Sequence, residues 1–234
     1  MKRTITYLMT VYGLVLSPSG WSEEAKYDWT GAYVGASIGV AWTGSHLSAN
    51  SNNFSSGATS YSENIDATDA DPGAQLGYLY QFDEHWVGGI EGDFTYPASN
   101  SNKIHGADDC GCYDKFTVRN NVQGSLRLRG GYAFDNIFPY ITTGVSFGSL
   151  GLYYNNELNN AYSTSTTQTG WVLGGGVEYG VMENMSVRAE YLYTDYGSAL
   201  NMNLPVIGSA YDAAGSAHAD MSVNVLRAAF NYRF

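Results

Sequence analysis

The chain alternates. From Ala32 the even positions read Ala32, Val34, Ala36, Ile38, Val40 and Trp42, and the odd positions Gly31, Tyr33, Gly35, Ser37, Gly39 and Ala41. Successive side chains of a β-strand point to opposite faces, so this segment carries one apolar face and one small or polar face. The pattern returns along the whole chain. Ala74, Leu76, Tyr78, Tyr80 and Phe82 alternate with Gly73, Gln75, Gly77 and Gln81; Trp86, Ile90, Phe94 and Tyr96 stand against Glu91, Asp93 and Thr95. Val122, Leu126, Leu128 and Tyr132 oppose Gln123, Ser125, Arg127 and Arg129, and Ile141, Val145 and Phe147 oppose Tyr140, Thr142 and Ser146. Trp171, Leu173, Val177 and Tyr179 then face away from Gly174, Gly176 and Glu178, as Met185, Val187, Ala189, Tyr191 and Tyr193 do from Ser186, Arg188 and Glu190. The eighth run, Leu226, Ala228, Phe230, Tyr232 and Phe234 against Arg227, Ala229, Asn231 and Arg233, reaches the last residue.

The connections are of two kinds. Three are tight, at 83–85, 133–137 and 181–184, and four are long and polar, at roughly 44–72, 97–115, 150–168 and 196–219. Short turns on one side and long loops on the other describe an eight-stranded antiparallel up-and-down transmembrane β-barrel, with four long outer loops and three short periplasmic turns. An even strand number puts both termini on the periplasmic side. Closure leaves no strand edge unpaired, which lipid demands of any β structure.

Alternation alone would also suit a soluble barrel with its apolar face turned inward. Eight strands enclose too little volume for so many aromatic side chains, so the apolar face is expected outside. Trp42, Trp86, Tyr96, Tyr132, Trp171, Tyr193, Tyr232 and Phe234 fall near strand ends, where membrane-interface girdles form. The opposite face, with Glu91, Asp93, Arg127, Arg129, Glu178, Arg188, Glu190 and Arg227, then lines the lumen.

Composition agrees. Charged residues make up 14% of the 234 residues, against about 25% in soluble domains. No run of eighteen apolar residues follows the N-terminus, which excludes a helical span. Residues 1–22 read as a signal peptide: Lys2 and Arg3, an apolar stretch from Ile5 to Leu16, then Gly20 and Ser22 at the cleavage positions. Residues 23–234 form the barrel domain. The formal net charge is −11, and loss of Lys2 and Arg3 makes the remainder more acidic. No basic patch is present to neutralise phosphates, so nucleic acid is excluded as a partner.

Several segments together resemble a known family. Asp28-Trp29-Thr30-Gly31-Ala32-Tyr33-Val34-Gly35, Gly88-Gly89-Ile90-Glu91-Gly92-Asp93-Phe94 and Leu126-Arg127-Leu128-Arg129-Gly130-Gly131-Tyr132 resemble the first, third and fourth strands of the alphaproteobacterial small outer-membrane immunogenic proteins, a porin-like β-barrel family. Pro139 to Gly148, Gly170 to Tyr179, Ala189 to Tyr193 and Asn231-Tyr232-Arg233-Phe234 are similar to the later strands and the ending. The resemblance covers nearly the whole mature chain except its loops. It implies the cell outer membrane, a part in envelope integrity and surface exposure, sometimes modest pore activity, and no enzymatic site. The Cys110-Gly111-Cys112 pair and Ala228-Ala229 depart from the family pattern.

The candidate chemistry is sparse. Opposite charges in a narrow lumen can pair, which offsets their desolvation; they either plug the barrel or line an ion path, and plugging is expected because eight-stranded barrels fill with side chains. Cys110 and Cys112 are expected as a local disulfide or free thiols, since a metal site would need more ligands than His105, Asp108 and Asp109 add. Asp66, Asp69 and Asp71 lack the closing Glu of a calcium loop, Tyr80 standing there. Gly174-Gly175-Gly176 lies inside a strand without a following Lys-Ser/Thr, so no phosphate loop and no cofactor is indicated. Of the four histidines, His46, His85, His105 and His218, only His46 and His218, beside Ser45 and Ser216, could meet at the outer rim as a lipid-modifying site, and that reading is set aside. Phe230, Tyr232 and Phe234 resemble the C-terminal signal read by barrel assembly machinery. The expected partners are therefore that machinery, outer-membrane lipid, and host or surface ligands of the loops. The function expected is a structural, surface-exposed outer-membrane protein, with a small porin for ions or small solutes as the alternative.

Overall fold

A computed structural model describes residues 27–53, 57–96, 102–107, 113–155, 161–204 and 215–234. The expected signal segment and the Cys110–Cys112 pair lie outside these residues. Ten strands form one antiparallel sheet: β1 (Gly31–Asn53), β2 (Gly57–Ala70), β3 (Gly73–Gln81), β4 (Trp86–Thr95), β5 (Asn102–Ala107), β6 (Tyr113–Tyr132), β7 (Ile137–Asn155), β8 (Ala161–Met182), β9 (Met185–Leu204) and β10 (Gly215–Arg233). The barrel itself has eight staves, in the order β1, β3, β4, β6, β7, β8, β9, β10, closed by antiparallel pairing of β10 with β1. β2 and β5 continue the lines of β3 and β4 upward, β2 pairing the far half of β1 and β5 that of β6.

The three tight connections follow local chemistry. Asp83 accepts hydrogen bonds from the backbone N–H of His85 and Trp86, both at 2.8 Å, and so turns β3 into β4. Between β6 and β7, Phe134 and Ile137 exchange backbone hydrogen bonds around Asp135-Asn136, with Asp135 at φ 52°. Asp and Asn tolerate the positive φ that a two-residue hairpin asks of its central positions. Met182 pairs with Met185 across the third turn.

At the other end the sequence expectation is corrected. The described residues of the stretches 44–72, 97–115, 150–168 and 196–219, expected as loops, are largely strand, since β1 runs on to Asn53, β7 to Asn155 and β9 to Leu204. A strand clear of lipid needs no apolar face, so its Ser, Thr and Asn residues show no hydrophobic alternation. Backbone pairing carries it upward.

Burial is inverted relative to a soluble protein. Ile141 is 72% exposed and Leu76 66%, whereas Arg127 is 1% exposed and Glu91 fully buried. The outward band runs from Trp86 to Tyr96 on one stave, eleven residues and about 33 Å of strand, or about 25 Å once tilted. That matches the apolar belt of an outer-membrane barrel. Aromatic rings pack in pairs at its short-turn rim, Trp86 with Tyr132 at 5.5 Å and Tyr232 with Phe234 at 5.3 Å, and Trp171 meets Tyr193 at 5.4 Å at the opposite rim. An outward Asn224 accepts a hydrogen bond from Tyr191 Oη at 2.6 Å, so it does not face lipid unsatisfied.

Candidate functional site

The lumen is filled in three layers. At the short-turn end, Tyr27, Trp29, Tyr33, Leu79, Val87, Ala133, Phe138 and Tyr140 form a buried cluster. The segment before β1 supplies its lid: Trp29 is fully buried, its Nε1 donates to the Asp135 carbonyl at 3.2 Å, and its ring lies 5.1 Å from Phe138. Arg233 closes over this lid, its guanidinium 5.1 Å from both the Tyr27 and Trp29 rings, while it donates to the Asp28 carbonyl at 2.8 Å. Burial pushes the Tyr27 phenol above its ordinary range, and the Arg233 charge opposes that shift. At the far end of the membrane band, Ala41, Val172, Leu192, Tyr196, Met221, Val223 and Val225 form a second buried cluster.

Charge fills the middle layer. Register alone places Glu91 opposite Arg127, Glu178 opposite Arg188 and Glu190 opposite Arg227 on neighbouring staves. The side chains then reach across. Glu91 pairs with Arg127, with Arg188 from the opposite wall, and with Arg129 at 3.2 Å, and its Oε2 accepts from Tyr33 Oη at 2.6 Å. Glu190 accepts from Arg127 Nη1 at 3.0 Å, Arg227 Nε at 2.7 Å and Tyr140 Oη at 2.8 Å. Glu178 accepts from Arg129 Nη2 at 2.7 Å, Ser186 Oγ at 2.6 Å and Asn231 Nδ2 at 3.0 Å. Asp93 accepts from Ser125 Oγ and from Arg127 Nε at 3.0 Å. The Arg129 guanidinium also stacks on the Tyr140 ring at 3.9 Å, a cation–π contact made strong by desolvation.

All eight charges read from the alternation meet in this one network. Sequence reasoning missed its other members. Arg233 joins at 3.9 Å from Glu178, and Tyr33, Gln75, Tyr140, Ser186 and Asn231 supply neutral donors. Their positions on the inward parity of their strands were the available signal. Room for them comes from glycine: a Cβ on Gly77 would stand 2.5 Å from Tyr33 Oη. Five guanidinium groups against four carboxylates leave the layer close to neutral. Every carboxylate is held by cations and every phenol by a carboxylate, an arrangement that fixes geometry.

The remaining candidates are dispersed. Asp66 and Asp69 lie on β2, and Asp71 turns into the lumen at 3% exposure, so the three make no ion-binding loop. His85 stacks on Tyr132 at 4.8 Å. The β1–β10 register sets His46 opposite Asp220 and His218 opposite Ser48, and His46, Tyr193, Asp195, Asp220 and Ser222 border an outward cavity of about 340 Å³ at the upper rim. His105 lies on β5, with Asp108 and Asp109 outside the described residues.

Residues 14–234 match the outer membrane protein β-barrel domain family. The 25 kDa outer-membrane immunogenic protein of Brucella abortus biovar 1 (strain 9-941) is 30% identical over 218 residues, 93% of this chain and 84% of the relative. A 31 kDa outer-membrane immunogenic protein of Brucella melitensis biotype 1 (strain ATCC 23456 / CCUG 17765 / NCTC 10094 / 16M) is 28% identical over 213 residues, covering 89% and 85%. Among solved structures, the outer membrane protein OprG from Pseudomonas aeruginosa shares the fold, with a TM-score of 0.56 at 14% identity, over 90% of this chain and 99% of that one.

Proposed function

Because this chain belongs to the outer membrane protein β-barrel domain family, with the alphaproteobacterial outer-membrane immunogenic proteins among its relatives, we propose that it is a closed structural barrel of the outer membrane, whose contacts are made by its extended end. The short turns face the periplasm in this reading, and the extended hairpins face outward. One observation carries it: Glu91, Glu178 and Glu190 are at most 1% exposed between two packed clusters, so charge that could line an ion path is consumed in pairing. A water-filled pore needs unpaired polar walls, and a barrel of this strand number has room for side chains instead. The reading assigns no reaction to the barrel. It gives the protein a part in envelope integrity through its lipid-facing band, and in surface contact through β-hairpins.

Purified protein in a planar lipid bilayer distinguishes this from a small porin. The expected record is a silent membrane at moderate voltage. Steady, voltage-independent steps from the native chain would overturn the closed-barrel reading and install the porin.

A further inference from the structure

The outward cavity of about 340 Å³ lies on the seam wall, where β1, β10 and β9 pass the upper aromatic rim. Register fixes its level. Trp42, Asn224 and Tyr193 stand side by side across the three staves; Gly44, Ser222 and Asp195 form the next row up, and His46 with Asp220 the row above that. Tyr193 packs on Trp171 at 5.4 Å, so the first row is the girdle itself and the cavity opens at the height of lipid head groups. Its volume falls in the range of small-molecule sites.

The backbone opens it. Between the Ser222–Asp195 and Asp220–Ser198 pairs, β9 sets two residues, Tyr196 and Gly197, against the single Met221 of β10. Such a bulge bends the strand and re-aims its side chains. Tyr196 turns into the lumen, 5% exposed, while Gly197 takes φ 59° and donates its N–H to Asp195 Oδ1 at 2.7 Å. The pairing of β8 with β9 ends at Trp171–Asp195, at the same height.

The lining selects among ligands. Asp195 and Asp220 accept hydrogen bonds, Ser222 donates and accepts, and Tyr193 contributes a ring. One row lower Asn224, its Oδ1 taken by Tyr191 Oη, presents Nδ2 as a donor. Other described outward positions of this tier are uncharged, such as Ser149 on β7 and Thr167 and Thr169 on β8. A phosphate would meet two carboxylates and no Lys or Arg in the lining. An acyl chain would strip those carboxylates of water without replacing it. No three His, Cys, Asp or Glu side chains among the described residues are grouped to hold a metal ion. A sugar uses the whole lining, since its hydroxyls both donate and accept and its ring can lie on an aromatic face.

We propose that this cavity binds the sugar head group of an outer-leaflet lipid, its hydroxyls donating to Asp195 and Asp220 and its ring lying against Tyr193. The lipid chain would descend the apolar wall below, past the outward Val40 and Leu226. The choice of leaflet rests on the extended end facing outward; the binding itself is independent of whether the lumen conducts.

The test uses the full chain in polyoxyethylene micelles, with mass spectrometry of the intact protein counting retained ligand. The probes are dodecyl glucoside, dodecyl galactoside and dodecyl maltoside, with dodecylphosphocholine and free maltose as comparisons. At least one glycoside is expected to be retained about tenfold or more over dodecylphosphocholine, and free maltose far less than its dodecyl form. The double variant Asp195→Asn, Asp220→Asn and the single variant Tyr193→Leu should each weaken retention about tenfold. Thr169→Ala, on another stave at the same height, should leave it unchanged. Heat-modifiable gel mobility checks that each variant is folded. Retention of no glycoside above dodecylphosphocholine overturns the proposal, as does retention that the cavity variants leave intact. Free maltose held as tightly as its dodecyl form would replace the lipid with a soluble saccharide and so overturn the assignment to lipid. Each of these failures leaves the conductance result, and so the closed-barrel reading, untouched.

Discussion

Glu91 faces four guanidinium groups in a fully buried site, and it tests the lumen at the level of one side chain. Replacing Glu91 by Ala leaves Arg188 and Arg129 short of a counter-charge inside the barrel. Breaking a buried pair in this way costs about 3–5 kcal/mol, far more than the pair's net contribution. The urea midpoint of the folded chain in micelles should fall accordingly; a loss under about 1 kcal/mol would mean the network relaxes around the gap. Replacing Glu190 and Arg227 together by Met should cost much less than Glu190→Ala alone, since the doubly apolar site leaves neither charge stranded. Trp29 is the matching test at the short-turn end. Its truncation to Ala empties a fully buried site and should cost about 3–5 kcal/mol, while conductance stays silent because the charged layer above is intact.

Strands and hairpins set a different kind of test. Gly197 holds a left-handed conformation where β9 leaves β8, and a β-branched side chain there costs about 1–2 kcal/mol in backbone strain. Gly197→Val should therefore protect the upper amides of β9 less in hydrogen exchange, with the membrane band unchanged. Phe234 follows β10, its N–H donating to the Ala32 carbonyl at 2.9 Å and its side chain 77% exposed beside Tyr232. Deleting it should lower the amount of barrel reaching the outer membrane, read by surface labelling; unchanged levels would leave Phe234 as a lipid contact only. These elements also show what the sequence could reveal. Ile38, Leu76 and Ile141 alternate because lipid on one side and packed lumen on the other impose period two, so every membrane-spanning stave was legible. Ser163 to Thr169 were not, because both faces of β8 are polar there and only pairing with β7 defines the strand. In the lumen, Arg127 and Glu190 announced themselves by charge. Val223, Val225 and Leu192, which share their face, did not, since an apolar inward residue looks like an outward one out of register.

At the scale of the whole molecule, a closed barrel resists detergent until heat opens it. Unboiled samples should run at a different gel mobility from boiled ones, and a single mobility would count against closure. The seam that closes it has a further consequence, in the order of folding. β1 and β10 share nineteen register pairs, from Tyr33–Arg233 to Ser51–Gly215, between opposite ends of the chain. Every other wall contact in the membrane band joins staves that are neighbours in sequence, so it can form as the hairpins do. Closing so long a loop is entropically late, and long-range strand pairing is slow. The bond that crosses the lumen, Arg188 to Glu91, and the one that bridges over β1, Gln75 to Asn231, have no geometry until the curved sheet meets itself. Seam and cross-lumen pairing therefore arrive in one step. A chain halted before it carries its charges paired only with neighbouring staves, on an open face, a state that lipid rejects and that assembly must carry past.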